Sequence, residues 1–353
     1  MKKLIAIVLL GLLLTSAFAK VDFYGSARLG YWYEMKDEDM TGVENRIDMQ
    51  LINCSTSRMG INYLHEKYIG KVELGLHNSG NVYTRLIYGK IILNEDGCNL
   101  LVGQTYSGFT AANVASQATS VLIGSENLLF GYGAFYDGRK PMIKFTNKLG
   151  IYLSISNPSK IDAANLGANN IDTLIPKINL GYNYKNGNLG IYPTFGLNMS
   201  KYNKDASGID DALMAYAFAT TIKYNLNKVA IKCQVNYGLN VADYGMVTST
   251  NAGAGWDDVD QEVIDTVTMG GFLQITYPVG CTKITAGGGY VISSNDALTD
   301  DDTGMSAFLQ GNIKLHKNAS LIPEVGIIDD MEDGMGVVEG SEIYFGTKLQ
   351  MDF

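Results

Sequence analysis

Two-residue alternation constrains this chain more than any other feature. Leu189, Ile191, Pro193, Phe195, Leu197 and Met199 alternate with Gly190, Tyr192, Thr194, Gly196, Asn198 and Ser200. The same rhythm sets Val229, Ile231, Cys233, Val235, Tyr237 and Leu239 against Ala230, Lys232, Gln234, Asn236, Gly238 and Asn240. A period of two means an extended strand with two unlike faces. In a soluble sandwich the apolar face packs a core, whereas in a membrane barrel it meets lipid and the polar face lines a lumen. Alternation alone leaves both open. Mid-strand lysines (Lys177, Lys223, Lys232, Lys348) fall in the polar phase, as a barrel requires, because a lysine facing hydrocarbon at the midplane costs about 2–4 kcal/mol.

The connections decide between the two. Alternating runs bounded by turn residues predict sixteen strands, near 22–34, 46–66, 70–78, 82–94, 97–105, 140–147, 149–157, 175–186, 188–201, 212–225, 228–241, 266–278, 281–293, 304–316, 318–328 and 341–353. One set of connections is short: 67–70, 94–99, 147–149, 186–188, 225–228, 278–281 and 316–318. The other is long: 35–45, 106–139, 158–174, 202–211, 242–265, 294–303 and 329–340, with 78–82 the brief exception. Long loops at one rim, short turns at the other and an even strand number predict an all-β, 16-stranded antiparallel transmembrane β-barrel with extracellular loops and periplasmic turns. Beyond residue 19 no apolar stretch reaches the roughly 20 residues of a spanning helix, so a membrane location requires a closed barrel. Phe145, Tyr182, Tyr184, Tyr224, Tyr277 and Phe353 stand in the apolar phase beside the short turns, where an aromatic girdle would sit.

At the N-terminus, Lys2 and Lys3, the apolar run from Leu4 to Leu14 and Ala17-Phe18-Ala19 read as a cleaved signal peptide over 1–19. Residues 20–353 then form a single barrel domain. Losing two lysines takes the formal charge from −9 to −11, and no basic cluster supports nucleic-acid binding. Cys54, Cys98, Cys233 and Cys281 show no metal-ligand spacing and read as isolated thiols. His65, His77 and His316 belong to no catalytic motif, so no catalytic residue, metal or cofactor is expected. The run TAGGGY (285–290) reads as small, tightly packed lumen positions and NAGAG (251–255) as a flexible loop. Acidic loops at 36–44, 256–262, 296–304 and 329–342 either are solvated or hold divalent cations that bridge to the phosphates of outer-leaflet lipid and lipopolysaccharide.

The stretches FYGSARLGYW (23–32), SRMGINYLHEKYIGKVELGLHN (57–78), TRLIYGKIIL (84–93) and LLVGQTYSG (100–108) resemble the first five strands of the Gram-negative trimeric general-diffusion porins. The last strand, ending on Phe353, resembles the signal that their barrel-assembly machinery reads. The resemblance implies an outer-membrane location, a homotrimer and a third loop folded inward. That loop would narrow a water-filled pore opposite a cluster of arginines. By position Arg58 and Arg85 match two of those arginines, Gln104 stands where the family often has a third, and Arg28 points the same way in the first strand. The constriction loop would run from Tyr106 to Arg139, with Glu126 and Asp137 as its only acids, which implies a weak transverse field. The residues alone allow another reading of Arg58 and Arg85, as solvated lumen arginines tied to a carboxylate such as Glu73. Glu73, Lys177, Lys223, Lys232 and Lys348 are expected to line the lumen.

The function this suggests is passive diffusion of small hydrophilic solutes and ions. A substrate-specific channel for a small anionic nutrient is the alternative, motivated by the surplus of lumen lysines. A closed structural barrel or adhesin is a third reading.

Overall fold

The computed structural model describes residues 20–41, 46–53, 56–76, 81–110, 128–160, 170–203, 210–246, 252–257 and 262–353. Sixteen staves follow in order: β1 (Lys20–Lys36), β2 in two pieces (Arg46–Asn53 and Arg58–His65), β3 (Tyr68–Leu76), β4 (Val82–Ile92), β5 (Asn99–Tyr106), β6 (Arg139–Thr146), β7 (Ile151–Ser156) and β8, also in two pieces (Asn170–Tyr182 and Tyr184–Asn186). The second half comprises β9 (Leu189–Asn203), β10 (Asp210–Leu226), β11 (Val229–Leu239), β12 (Val267–Val279), β13 (Thr282–Ser294), β14 (Asp302–His316), β15 (Ala319–Asp329) and β16 (Ser341–Asp352). Each stave pairs antiparallel with its sequence neighbour, and β1 pairs antiparallel with β16 from Ser26↔Asp352 to Lys36↔Glu342. The sheet is closed.

The faces are inverted relative to a soluble protein. In β7, Ile151, Leu153 and Ile155 are exposed while Tyr152, Ser154 and Ser156 are buried. In β16, Ile343, Phe345 and Met351 are exposed, and Glu342, Tyr344 and Lys348 are buried. Apolar rows repeated on every stave far exceed the few hundred Å² that a dissolved monomer exposes. Hydrocarbon is the solvent that suits this surface. Phe145, Tyr224, Tyr277 and Phe353 are exposed beside the turns, and the rings of Tyr182 and Tyr184 lie 6.0 Å apart.

Closure is reinforced at both levels of the seam. Gly25 and Phe353 exchange backbone hydrogen bonds of 2.8 and 3.1 Å. The Phe353 ring lies where a Cβ on Gly25 would come within 2.3 Å of it. On the inner face the Trp32 indole covers Gly346 in the same way.

Several outer-side elements differ from expectation. β8, β9 and β10 rise beyond the apolar belt, with Asn203 opposite both Asn170 and Asp210. Lateral hydrogen bonds continue there although the alternation that predicts strands has ended. A helical turn, Glu38–Thr41, starts where the Asp37 carboxylate accepts the Met40 N–H at 3.1 Å. NAGAG is not simply a flexible loop. Ala252 and Ala254 are buried, and the Val241 N–H bonds the Ala252 carbonyl at 2.9 Å. Their methyl side chains are small enough to tuck beneath the preceding turn. Gly255–Asp257 then pairs with Glu262–Ile264.

The described parts of two outer loops fold into the barrel. In the third loop (107–138), Leu128, Leu129, Phe130, Tyr132 and Ala134 pack with Trp32, Phe272, Phe308, Ile328 and Tyr344 from the inner wall. Phe109 and Phe135 pack with Ala215, Ala217, Val291 and a 3-10 turn, Val241–Tyr244, of the loop after β11. Glycine makes the approach possible. Gly133 has φ 89°, and a Cβ there would stand 2.2 Å from the Gly271 carbonyl oxygen; a Cβ on Gly289 would meet the Tyr132 oxygen at 2.0 Å. At Gly289, TAGGGY is a tight lumen position, as expected.

Phe195, opposite Phe218 near the middle of β9, tests the inversion. Phe195→Lys should destabilise the barrel by about 2–4 kcal/mol, read from denaturant equilibria in lipid vesicles. A loss below about 1 kcal/mol would mean that this position does not face hydrocarbon.

Candidate functional site

The wall of β2 to β6 gathers guanidinium groups: Arg58 lies in the inward phase of β2, opposite Gly75, while Arg85 sits where the pairing of β3 with β4 shifts register between Glu73 and Leu74. Arg85 on β4 is buried. Its Nε donates to Glu73 Oε1 at 2.7 Å, and its terminal nitrogens donate to the hydroxyls of Tyr83 (3.3 Å) and Tyr106 (3.4 Å). Arg58 on β2 is more open and lies 3.8 Å from Glu73 Oε2. Glu73 also accepts the Tyr24 hydroxyl at 2.8 Å. Both arginines thus share the Glu73 carboxylate that one of the two sequence readings gave them, but Arg85 is buried and not solvated. Arg139, which sequence reasoning missed, donates to Tyr106 at 3.3 Å and stacks on that ring at 4.9 Å. Tyr106 thus bridges Arg85 and Arg139. Arg28 lies to one side, donating to Ser26 (3.0 Å) and Thr56 (2.5 Å).

Gln104 does not present its amide to the lumen in the manner of an arginine. Its Nε2 donates to the backbone carbonyls of Thr84 (2.9 Å) and Arg85 (3.2 Å), so it props the segment of β4 that carries Arg85. Glu126 lies outside the described residues.

Asp137 is turned away from the arginines. Its Oδ1 accepts Lys177 Nζ from β8 at 2.9 Å and lies 3.7 Å from Lys140. Lys177 also donates to the Asp243 carbonyl, and the Asp243 carboxylate accepts the Asn198 amide at 2.9 Å. One buried ammonium therefore ties the third loop to the 3-10 turn of the loop after β11. Further ties are Tyr132 to Asp330 (2.7 Å), Asn236 to the Gly133 carbonyl (2.7 Å) and the Phe135 N–H to Gln234 (3.2 Å). Among the described residues of this loop, Tyr136 comes near the arginines. It stacks on Phe130 with centroids 4.3 Å apart and lies within Coulombic reach of Arg139 and Arg85.

The lysines divide by environment. Lys177 and Lys348 point inward but are 0% exposed, so neither is a water-facing charge, and Lys177 is an internal tie. Lys223 and Lys232 are half-buried on the inner face. Phe353 is at the seam, 71% exposed. Among the described residues no group of histidine, cysteine or acidic side chains is arranged to hold a metal, and Cys98, Cys233 and Cys281 are free thiols.

A scan of protein-family models returns no match, and no curated protein matches in sequence. Solved structures do match, over nearly the whole chain. The outer membrane channel DcaP of Acinetobacter baumannii aligns with a TM-score of 0.73 at 16% identity, covering 96% of this chain and 99% of its own. The in-vitro folded trimer form of OmpT, an outer membrane protein of Vibrio cholerae, aligns at 0.62 with 17% identity, 95% of this chain and 100% of its own. An anion-selective porin from Comamonas acidovorans aligns at 0.58 with 13% identity, 95% and 100%. The fold is the porin barrel.

Within this porin barrel the inner loop is held by a pair that sequence alone could not join, since Asp137 and Lys177 lie 40 positions apart. Removing one partner of a buried pair leaves an uncompensated charge and costs about 3–5 kcal/mol. Asp137→Asn should therefore lower thermal stability and admit protease into residues 107–138, and a second change, Lys177→Met, should recover part of the loss. Unchanged melting and cleavage would show that the pair does not hold the loop.

At the outer rim, the Glu339 carboxyl is pushed up to about 7 by partial burial and then by the charges of Asp302, Asp330 and Asp333. A carboxyl raised in the folded state destabilises that state above about pH 7 and not below the ordinary carboxylate range. Acidification should tighten the 330–340 loop. Its Met335 and Val337 N–H groups both bond Asp333 at 2.8 Å. Their amide exchange, corrected for intrinsic rate, should be slower at pH 6 than at pH 8; equal or faster exchange at pH 6 would refute this.

Proposed function

We infer that the protein is a passive, water-filled channel in an outer membrane, carrying small hydrophilic solutes and ions past the inward third loop. The observation that carries this reading is the site itself. An anchored loop brings Tyr136 near a wall where Arg58 and Arg85 share one carboxylate, Glu73, and Arg139 is joined to Arg85 through the Tyr106 hydroxyl. Fixed positive charge beside a narrowing favours anions, and the acidic outer rim opposes that preference for solutes arriving from outside. The net expectation is modest anion preference. Diffusion through such a path needs no catalytic residue and no cofactor.

Assembly as a homotrimer in outer-membrane lipid, reached through a cleaved signal peptide and the barrel-assembly machinery with Phe353 as its signal, completes this reading. It is supported by the fold likeness to a trimeric outer membrane protein and by the exposed apolar belt. The alternative of a saturable channel for an anionic nutrient is supported by the inward Lys223 and Lys232.

Planar-bilayer recordings test it. The folded protein should give ohmic current, with a reversal potential under a salt gradient on the anion side of zero. Tyr136→Glu, which places a carboxylate opposite the arginines, should move that potential toward the cation value. Absence of conductance from folded barrels, or a native potential near the ideal cation value, would defeat the proposal.

A further inference from the structure

Cross-strand register places three lysines in one row on the inner wall near the short-turn rim. Lys185 on β8 stands opposite Gly190 on β9, Gly190 opposite Lys223 on β10, Lys223 opposite Lys232 on β11, and Lys232 opposite Gln274 on β12. Cross-strand partners share a face, and this face carries the buried Thr221 and Gln234. With staves about 4.8 Å apart, Lys223 and Lys232 are immediate neighbours and Lys185 lies about 10 Å from Lys223. Like charges directly opposite one another destabilise a sheet. The row nevertheless contains no acid: its other members are Gly190 and Gln274. Lys185 and Lys223 have no carboxylate within ion-pair distance among the described residues.

The gap at Gly190 is filled by a polar group. A Cβ there would come within 2.6 Å of the Tyr192 hydroxyl, so this phenol lies over the glycine, and the Lys223 ammonium sits 5.1 Å from the centre of the same ring. Lys185 is exposed, and Lys223 and Lys232 are half-buried, so water and solutes reach the row. Lys90 and Lys144, each two residues from the short-turn end of its strand, add positive charge at a similar depth on β4 and β6.

We propose that Lys185, Lys223 and Lys232, with the Tyr192 hydroxyl, form a binding site for a multivalent oxyanion such as a phosphate or pyrophosphate group, on the short-turn side of the constriction. A ligand bearing two or more negative charges bridges neighbouring ammonium groups and relieves their mutual repulsion, whereas a monovalent anion neutralises only one of them. Charge-assisted hydrogen bonds from the ammonium groups and the phenol supply the recognition. As a site that a solute meets in transit, it rests on the channel reading above. As a binding site it can be measured without it.

Calorimetric titration of the detergent-folded barrel with sodium pyrophosphate, at about 0.1 M salt where the screening length is about 10 Å, reads the site directly. Native protein should bind saturably, and the Lys223→Gln, Lys232→Gln double variant should bind at least tenfold more weakly. Lys283→Gln, which removes an inward lysine outside the row, should bind as native. No native binding, equal binding by the double variant, or equal weakening by Lys283→Gln would overturn the proposal, the last because it would reveal a diffuse field and not a site. Planar bilayers separate the two readings. Pyrophosphate added at the short-turn side should block native chloride current and should not block that of the double variant. Normal current that is never blocked overturns the site while leaving the channel standing. Saturable binding without any current supports the site and defeats the channel.

Discussion

Lateral closure of the sheet is the interaction on which everything else depends. In hydrocarbon an open edge would leave a column of N–H and C=O groups unbonded, at several kcal/mol each. The eleven pairs from Ser26↔Asp352 to Lys36↔Glu342 remove that edge. The two seam glycines matter because of what covers them. Gly25 leaves room for the Phe353 ring outside, and Gly346 leaves room for the Trp32 indole inside. Trp32 in turn stands edge-on to Tyr344 at 5.9 Å and belongs to the cluster that receives the third loop. Closing the barrel and seating its inner loop are thus one packing event.

A cylinder with polar side chains inside would by itself be an unselective hole. Here part of the lumen is converted into a second, inner core. Glycines at 133, 270 and 289 let backbone lie on backbone, alanines at 215 and 217 clear space beneath Phe135, and Lys177 joins two loops through one buried charge. These contacts lie mostly on the β8 to β16 side. The arginines stand on β1, β2, β4 and β6, so loop and guanidinium wall face one another across the lumen.

Much of the frame was legible in the sequence because a sheet between lipid and water has a period that residue types must obey. Every one of the sixteen strands follows from apolar alternation bounded by turn residues, and the inward aim of Arg28, Arg58 and Lys232 follows from phase alone, whereas Arg85 shares the phase of the exposed Ile87 and reaches Glu73 through a break in register. The same logic loses its grip above the membrane, where both faces are wet. That is why the extensions of β8 and β10 and the pairing of Gly255–Asp257 with Glu262–Ile264 gave no periodic signal. Arg139 was missed because it sits at the first position of its strand, where phase is not yet established.

By itself the amino-acid sequence determined the inversion of faces, the stave order and the rim to which each terminus belongs, since these are set by local period and by the lengths of connections. Only the tertiary structure decided which charges work and which are consumed. Asp137 and Lys177, both plausible pore charges in sequence, neutralise one another in the interior, while Tyr136, among the described loop residues, lies within Coulombic reach of Arg139 and Arg85. The row formed by Lys185, Lys223 and Lys232 likewise exists only once register sets three distant strands side by side. The physical reason is common to both cases. Electrostatic partnership falls off over a few ångströms, and chain position says nothing about such distances until the sheet has closed and its loops have chosen their walls.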